Sequence, residues 1–184
     1  MTEWTGRVLR PSAMRALAVV FVLALSGAAA SAQSLKVGDR LAELDIAVDP
    51  AGKSFKLKAY KGKWLLVTVG AEWCKPCAKE LPAWDKVAPE YKGKITFIAI
   101  NIDDSIDDGK KFNKKLKIAN LTLAYMPADK SAVVAKYGSD NMPTTYIADP
   151  QGVIRYVKAG FEKGDVSGET KKMRAQLTKL LPKS

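Results

Sequence analysis

The apolar positions of the chain fall into short runs separated by amphipathic stretches. Trp64-Leu65-Leu66-Val67-Thr68-Val69-Gly70 is nearly unbroken, the pattern of a strand covered on both faces, as in a parallel sheet. Ile95 to Ile102 repeats it, and Leu121 to Tyr125 predicts a third, shorter strand. Thr144 to Ala148 and Val153 to Lys158 predict a hairpin around Asp149-Pro150-Gln151-Gly152, a type I turn signal. Helices are expected from Pro76 to about Tyr91, with Pro82 as an internal kink, over 105–118 with Phe112 and Leu116 on one face, and from Ser131 to Tyr137. Residues 165–181 form a last amphipathic helix, with Val166, Met173, Leu177, Leu180 and Leu181 inward. Residues 35–58 read as an extended pair of strands, Leu41 to Val48 and Ser54 to Leu57, joined by the turn Asp49-Pro50-Ala51-Gly52. The order β-hairpin, β, α, β, α, β, α, β, β, α predicts an α/β fold. Its central sheet is flanked by helices, and the final hairpin makes that sheet mixed. There is no internal repeat and no low-complexity linker.

The first 32 residues stand apart from this pattern. Arg7, Arg10 and Arg15 precede an apolar run from Ala16 to Leu25, which breaks at Ser26-Gly27 and ends in Ala30-Ser31-Ala32. That is the layout of a signal peptide over 1–32, with Gln33 as the new N-terminus and one domain over 33–184. The apolar stretch, counted to Ala30, is about 15 residues, short of the ~20 a spanning helix needs. An uncleaved membrane anchor is the alternative. No Cys follows the run, which excludes a lipoprotein anchor, and a shorter leader would begin at Met14. Export places thiols where disulfides persist.

Composition narrows the chemistry. The 184 residues are 47% hydrophobic and 27% charged, ordinary globular values that exclude a disordered tail, a coiled coil or a collagen. The net charge is +11, and removing the leader with its three Arg and one Glu leaves 27 basic and 18 acidic residues. There is no histidine, so Ser-His-Asp hydrolysis, Cys-His catalysis, His-ligated zinc or copper and His-held haem are excluded. The two cysteines, Cys74 and Cys77, are too few for a Cys₄ zinc site or an iron–sulfur cluster. The chemistry must come from these thiols, or from carboxylates and lysines.

Trp73-Cys74-Lys75-Pro76-Cys77 follows a buried strand and opens a helix. There Cys74 faces unsatisfied N–H groups and the positive end of the helix dipole, which favour its thiolate, and Lys75 adds a positive charge. Cys77 lies one turn later on the same face, near enough to close a disulfide. Pro76 fits an early helical position, where a missing N–H costs nothing. An inert staple is a weak alternative, because so small a loop constrains the unfolded chain little. A metal site needs two further ligands, and no Cys or His remains to supply them.

The segment from Val69 to Pro82, with this motif at its centre, resembles the active-site segment of the thioredoxin superfamily, and most of all its exported TlpA/ResA-like branch. The resemblance extends over 35–181 through the N-terminal hairpin, Pro82 five residues after the second Cys, and Pro143-Thr144-Thr145 opening a late strand. It implies a thioredoxin fold with an N-terminal β-hairpin extension and a thiol–disulfide oxidoreductase. Such an enzyme reduces protein disulfides through Cys74 and Cys77 with no cofactor beyond that redox-active pair. In this branch some members serve cytochrome c maturation, and a membrane-embedded dithiol donor recharges them. It further implies a cis Pro143, with Trp73, Pro76, Met142 and Pro143 contacting substrate, where the plain alternatives are a trans turn proline and a core tryptophan. Glu80, three residues after Cys77, is the acid implied to tune the thiols and move protons; otherwise it is a solvated helix residue. Thioredoxin's buried Asp and its partner Lys are replaced here by Thr68 and Ala99.

The remaining charged clusters read as surface. Asp103, Asp104, Asp107 and Asp108 do not fit a calcium loop, whose sixth and twelfth positions would be Asp108 and Lys114; a helix start with acids in its first turn fits better. Lys110, Lys111, Lys114, Lys115 and Lys117 form a basic stretch, expected to be a solvated face, with docking to an acidic partner or anionic headgroups left open. Nucleic acid is not expected as a partner, since no aromatics interleave. Asn120-Leu121-Thr122 is a glycosylation sequon. The rival from another class is a thioredoxin-scaffold binding module, such as a chaperone or a metallochaperone holding Cu(I) through the Cys pair and Met142.

Overall fold

The computed structural model describes residues 1–2, 34–44, 46–127, 129, 133–138, 141–162 and 164–182. The expected leader and its cleavage site lie outside them. The chain divides into two units, Met1–Ala30 and Ser31–Ser184, and every element below belongs to the second.

The apolar runs become the strands of one sheet: β1 (Trp64–Gly70), β2 (Ile95–Asn101), β3 (Thr122–Tyr125), β4 (Thr144–Ala148) and β5 (Ile154–Ala159). Three α-helices lie between and after them: α1 (Cys77–Val87), α2 (Ile106–Lys115) and α3 (Val166–Leu180). The strand order is β3-β2-β1-β4-β5, with β1, β2 and β3 parallel and β4 and β5 antiparallel to their neighbours. The central strand is covered on both faces. Leu65, Val67 and Val69 join one core, with Leu44, Phe55, Ile98, Ile100, Tyr137 and Tyr146. Leu66 faces the other, built with Leu81 and Trp84 of α1 and Met173 and Leu177 of α3. Thr68 lies on this second face and is also fully buried. Thus the continuous apolar run reflects two buried faces rather than one.

Local chemistry moves several element ends. The helix expected to Tyr91 stops at Val87 and continues as a 3₁₀ turn, Ala88–Tyr91, with Pro89 in its first turn. The helix expected to residue 118 ends at Lys115, because Lys117 takes the left-handed conformation at φ 55°. Ile118 N–H then donates to the Asn113 carbonyl and Lys117 N–H to that of Lys114, a Schellman-type end. The helix expected from Ser131 is a 3₁₀ turn, Val134–Tyr137; residues 131 and 132 are not among those described.

The N-terminal hairpin is present in reduced form. Its turn closes as expected: the Asp49 carboxylate accepts from Ala51 N and Lys53 N at 2.8 and 2.9 Å, and Val48 bridges Ser54. The two expected strands do not run on from it. Glu43 takes the backbone N–H groups of Leu57 and Lys58 at 2.6 and 2.9 Å, which turns the chain into a 3₁₀ turn, Leu57–Tyr60. Val48 instead pairs with Tyr125 at the outer edge of β3. The inward face of α3 also departs from expectation. Val166 is exposed, and the buried position of its first turn belongs to Glu169, followed by Met173 and Leu177.

Candidate active site

The C-terminal end of β1 carries the cysteine pair. Strand β1 ends at Gly70, whose carbonyl accepts from Ile102 N–H. A Cβ on Gly70 would lie 3.2 Å from Cys77 Cβ and 3.3 Å from its Sγ, so only glycine lets the strand pass this close to α1 without displacing it. The following loop is held by Asp103, whose carboxylate accepts Glu72 N–H at 2.9 Å and Asn101 Nδ2 at 2.7 Å. Burial raises the proton affinity of Asp103 above the usual aspartate range despite these donors. Asn101 itself packs under Gly109 of α2, where a Cβ would come within 2.0 Å of its Oδ1.

Cys74 and Cys77 form a disulfide with Cα atoms 5.3 Å apart. The two sulfurs are not equivalent. Cys77 is fully buried at the start of α1, whereas Cys74 stays 6% exposed before it. The Cys77 N–H donates to the Cys74 carbonyl at 3.0 Å and also lies 3.3 Å from Cys74 Sγ. Trp73 projects beside the pair, 60% exposed, so it is not a core residue. Lys75 is exposed and Pro76 half-buried.

Glu80 is fully buried one turn beyond Cys77. Thr68 of β1 donates to its Oε2 at 2.6 Å, and Thr145 of β4 to its Oε1 at 2.8 Å. Thr68 stands where thioredoxin keeps its acid. Here the carboxylate reaches the same strand position from the helix. Burial raises the proton affinity of Glu80 above the usual carboxylate value. The two threonines, Lys158 and the nearby Trp84 indole pull the other way, without cancelling that effect.

The peptide bond between Met142 and Pro143 is cis. Val69 pairs with Thr144 and Thr68 with Thr145, and the same register carried one step further sets Pro143 opposite Gly70, next to Cys77. Met142 is half-buried against the core rather than projecting freely. The residues singled out by sequence thus gather at adjoining ends of β1, α1 and β4. The sequence missed Thr68, Thr145 and Asp103 as parts of the site. The available signals were Thr68, polar within an apolar run and at the place of thioredoxin's acid, and the polar pair Thr144-Thr145 opening an apolar strand. The basic stretch of α2 is largely solvated, with Lys111 paired to Asp108 at 3.2 Å and Lys115 to Glu72 at 3.9 Å. Among the described residues, no three His, Cys, Asp or Glu side chains come together as a metal site, and no helix is long and apolar enough to cross a membrane.

The AhpC/TSA family model matches residues 37–157. Among curated proteins the chain is 34% identical to "Thioredoxin-like protein YneN" of Bacillus subtilis, over 60% of this chain and 64% of that protein. It is 29% identical to "Thiol-disulfide oxidoreductase ResA" of Bacillus cereus, over 84% of this chain and 94% of that one. Among solved structures it matches a Chlorobium tepidum protein described as a thiol:disulfide interchange protein, DsbE. The TM-score is 0.64 and the identity 27%, over 78% of this chain and 99% of the other.

Proposed function

The chain belongs to the AhpC/TSA family and is a thioredoxin-like thiol–disulfide oxidoreductase; from that premise we propose that it is an exported reductant of protein disulfides. The single observation that carries this reading is the asymmetry of the pair. Cys74 keeps an exposed edge and a helix N–H donor, while Cys77 is enclosed one turn before a buried carboxyl.

In the reduced protein the Cys74 thiolate attacks one sulfur of a substrate disulfide. A Cys74–substrate bond forms, the substrate S–S bond breaks, and the leaving sulfur takes up a proton. Cys77 then gives its proton to Glu80 and attacks Cys74 Sγ; the Cys74–Cys77 bond re-forms, the Cys74–substrate bond breaks, and the second substrate sulfur leaves as a thiolate that takes up a proton from solvent. Two electrons pass from the pair to the substrate, and a membrane dithiol donor returns them. Trp73, Pro76, Met142 and Pro143 line the substrate's approach. Proteins with a Cys-x-x-Cys-His haem site, kept reduced during cytochrome c maturation, are the substrate class proposed. The charged leader and the Ala30-Ser31-Ala32 site support export with a mature start near Gln33, which an intact mass of the exported fraction tests.

Trapping in the native host, with an acid quench and a non-reducing gel, tests the mechanism. Cys77→Ser accumulates reductant-sensitive complexes, and Cys74→Ser accumulates none; the reverse pattern reassigns the nucleophile. Trapped partners bearing Cys-x-x-Cys-His support the maturation role, and partners with ordinary structural disulfides support general reduction. A wild type that fails to reduce insulin, yet binds Cu(I) through its thiols, moves the protein to the binding-module class.

A further inference from the structure

Thr145, which donates to Glu80, is paired across the β4–β5 ladder with Lys158. Cross-strand partners project from the same face of a sheet, so Lys158 rises on the side where Glu80 is buried. Its side chain is only 13% exposed. Its ammonium lies 2.6 Å from Glu169 Oε2 of α3 and 5.0 Å from the centre of the Phe161 ring, and it donates to the Gly160 carbonyl. Gly160 N–H in turn donates to the Pro143 carbonyl at 2.7 Å. Lys158 is therefore the cross-strand neighbour of Thr145, on the face where Glu80 is buried, and is bonded to the chain segment tied to Pro143.

We propose that Lys158, fixed in place by Glu169, is a positioning residue of the active site that sets how tightly Glu80 holds its proton. This rests on the reading of Glu80 as the proton-handling group. The groups facing Glu80 are Thr68 from β1, Thr145 from β4, Lys158 from β5 and Trp84 from α1. Lys158 is the cation among them, and it favours the carboxylate. Behind Lys158 stand Glu169 and Lys172, which pair at 3.0 Å, and Tyr156, whose hydroxyl burial pushes further above its ordinary range. Glu169 is held below its ordinary value and Lys172 and Tyr156 above theirs, so none of the three changes charge where a buried carboxyl with a raised proton affinity titrates.

The two partners of the ion pair have opposite effects at Glu80. Lys158 stabilises its negative charge directly, and Glu169 partly cancels Lys158. A pair that served only to tie β5 to α3 would give no such opposition. The test follows the carboxyl carbon of Glu80 by NMR titration in the oxidised protein carrying ¹³C-labelled glutamate, with the resonance assigned by its loss in Glu80→Gln. Lys158→Met raises the titration midpoint by at least ~0.5 pH unit, about threefold in proton affinity. Glu169→Gln lowers it, and Lys158→Arg keeps it near wild type. Midpoints that move in the same direction in Lys158→Met and Glu169→Gln, or stay fixed in both, overturn the proposal. If Lys158→Met does not fold, Glu169→Gln decides alone: a lowered midpoint supports the proposal, and an unchanged or raised one overturns it. The readout uses no substrate, so failure of the reductase reading is seen separately, in the insulin assay of the wild type.

Discussion

A carboxyl group enclosed beside a disulfide needs donors for both oxygens, and Glu80 finds one on each of two neighbouring strands. Glu80 was legible through the family resemblance, with its local helical spacing placing it on the face of Cys77. Thr145 was not, because it meets Glu80 from 65 residues away, and a threonine in a strand looks the same whatever it faces. Thr145→Val keeps the shape and removes the 2.8 Å bond. We expect a loss of about 1–3 kcal/mol in urea unfolding of the oxidised protein, the usual cost of stripping a partner from a buried polar group. Glu80 should then titrate at higher pH still. A variant as stable as wild type would mean that Thr68 alone suffices for the carboxyl. The same residue scale explains Lys158 and Glu169. Amphipathic patterning assigns charge to the outside, and only a partner reaching in from another element makes a buried Glu169 intelligible.

Between elements, the middle of each run was easier to read than its ends. Burial on both faces leaves little choice of residue in β1, β2 and β4, whereas the half-exposed β5 was legible from the turn that precedes it. Ends are set by single backbone conformations and side-chain captures. Glu43 reaches Leu57 and Lys58 from 14 and 15 residues away and curtails the second arm of the N-terminal hairpin. Helix α2 carries its own example. Its last turn closes on Lys117 at φ 55°, a position that glycine usually occupies, so nothing in Lys114-Lys115-Leu116-Lys117 marks a stop. A side chain in that conformation costs roughly 1–2 kcal/mol, partly offset in a glycine variant by the greater freedom of its unfolded chain. Lys117→Gly should therefore stabilise the protein by about 0.5–1 kcal/mol, read as a higher urea midpoint with an unchanged slope. A lower midpoint would show that the Lys117 side chain stabilises the folded state by more than its backbone costs.

Across the whole molecule, stability and chemistry pull on Glu80 in opposite directions. Most shifted acids of this fold favour their charged form. Asp149 and Glu169 are pushed up by burial, yet held below the usual range by Val153 N–H and Arg155 for the first and by Lys158 and Lys172 for the second. They support the fold at neutral pH and cease to do so as pH falls through their folded values. Glu80 behaves in the opposite sense, because burial raises it above the ordinary 4.5. An acid whose proton affinity rises on folding takes up protons as the chain folds. Its contribution is complete below the unfolded value and fades as pH climbs through the folded one. In that window the wild type should lose stability relative to Glu80→Gln, whose amide keeps the size of the side chain without a charge. The difference should be small near pH 4.5, grow by no more than ~1.4 kcal/mol per pH unit, and level off once Glu80 is ionised in the folded state. Urea unfolding of both oxidised proteins from pH 4 to 8 measures it, with the disulfide intact so that no thiol titrates. A difference that is flat with pH would mean that Glu80 holds its proton no more tightly when folded. A growing difference shows that the molecule tolerates a destabilising carboxyl beside Cys77, as a group kept for accepting protons rather than for holding the fold requires.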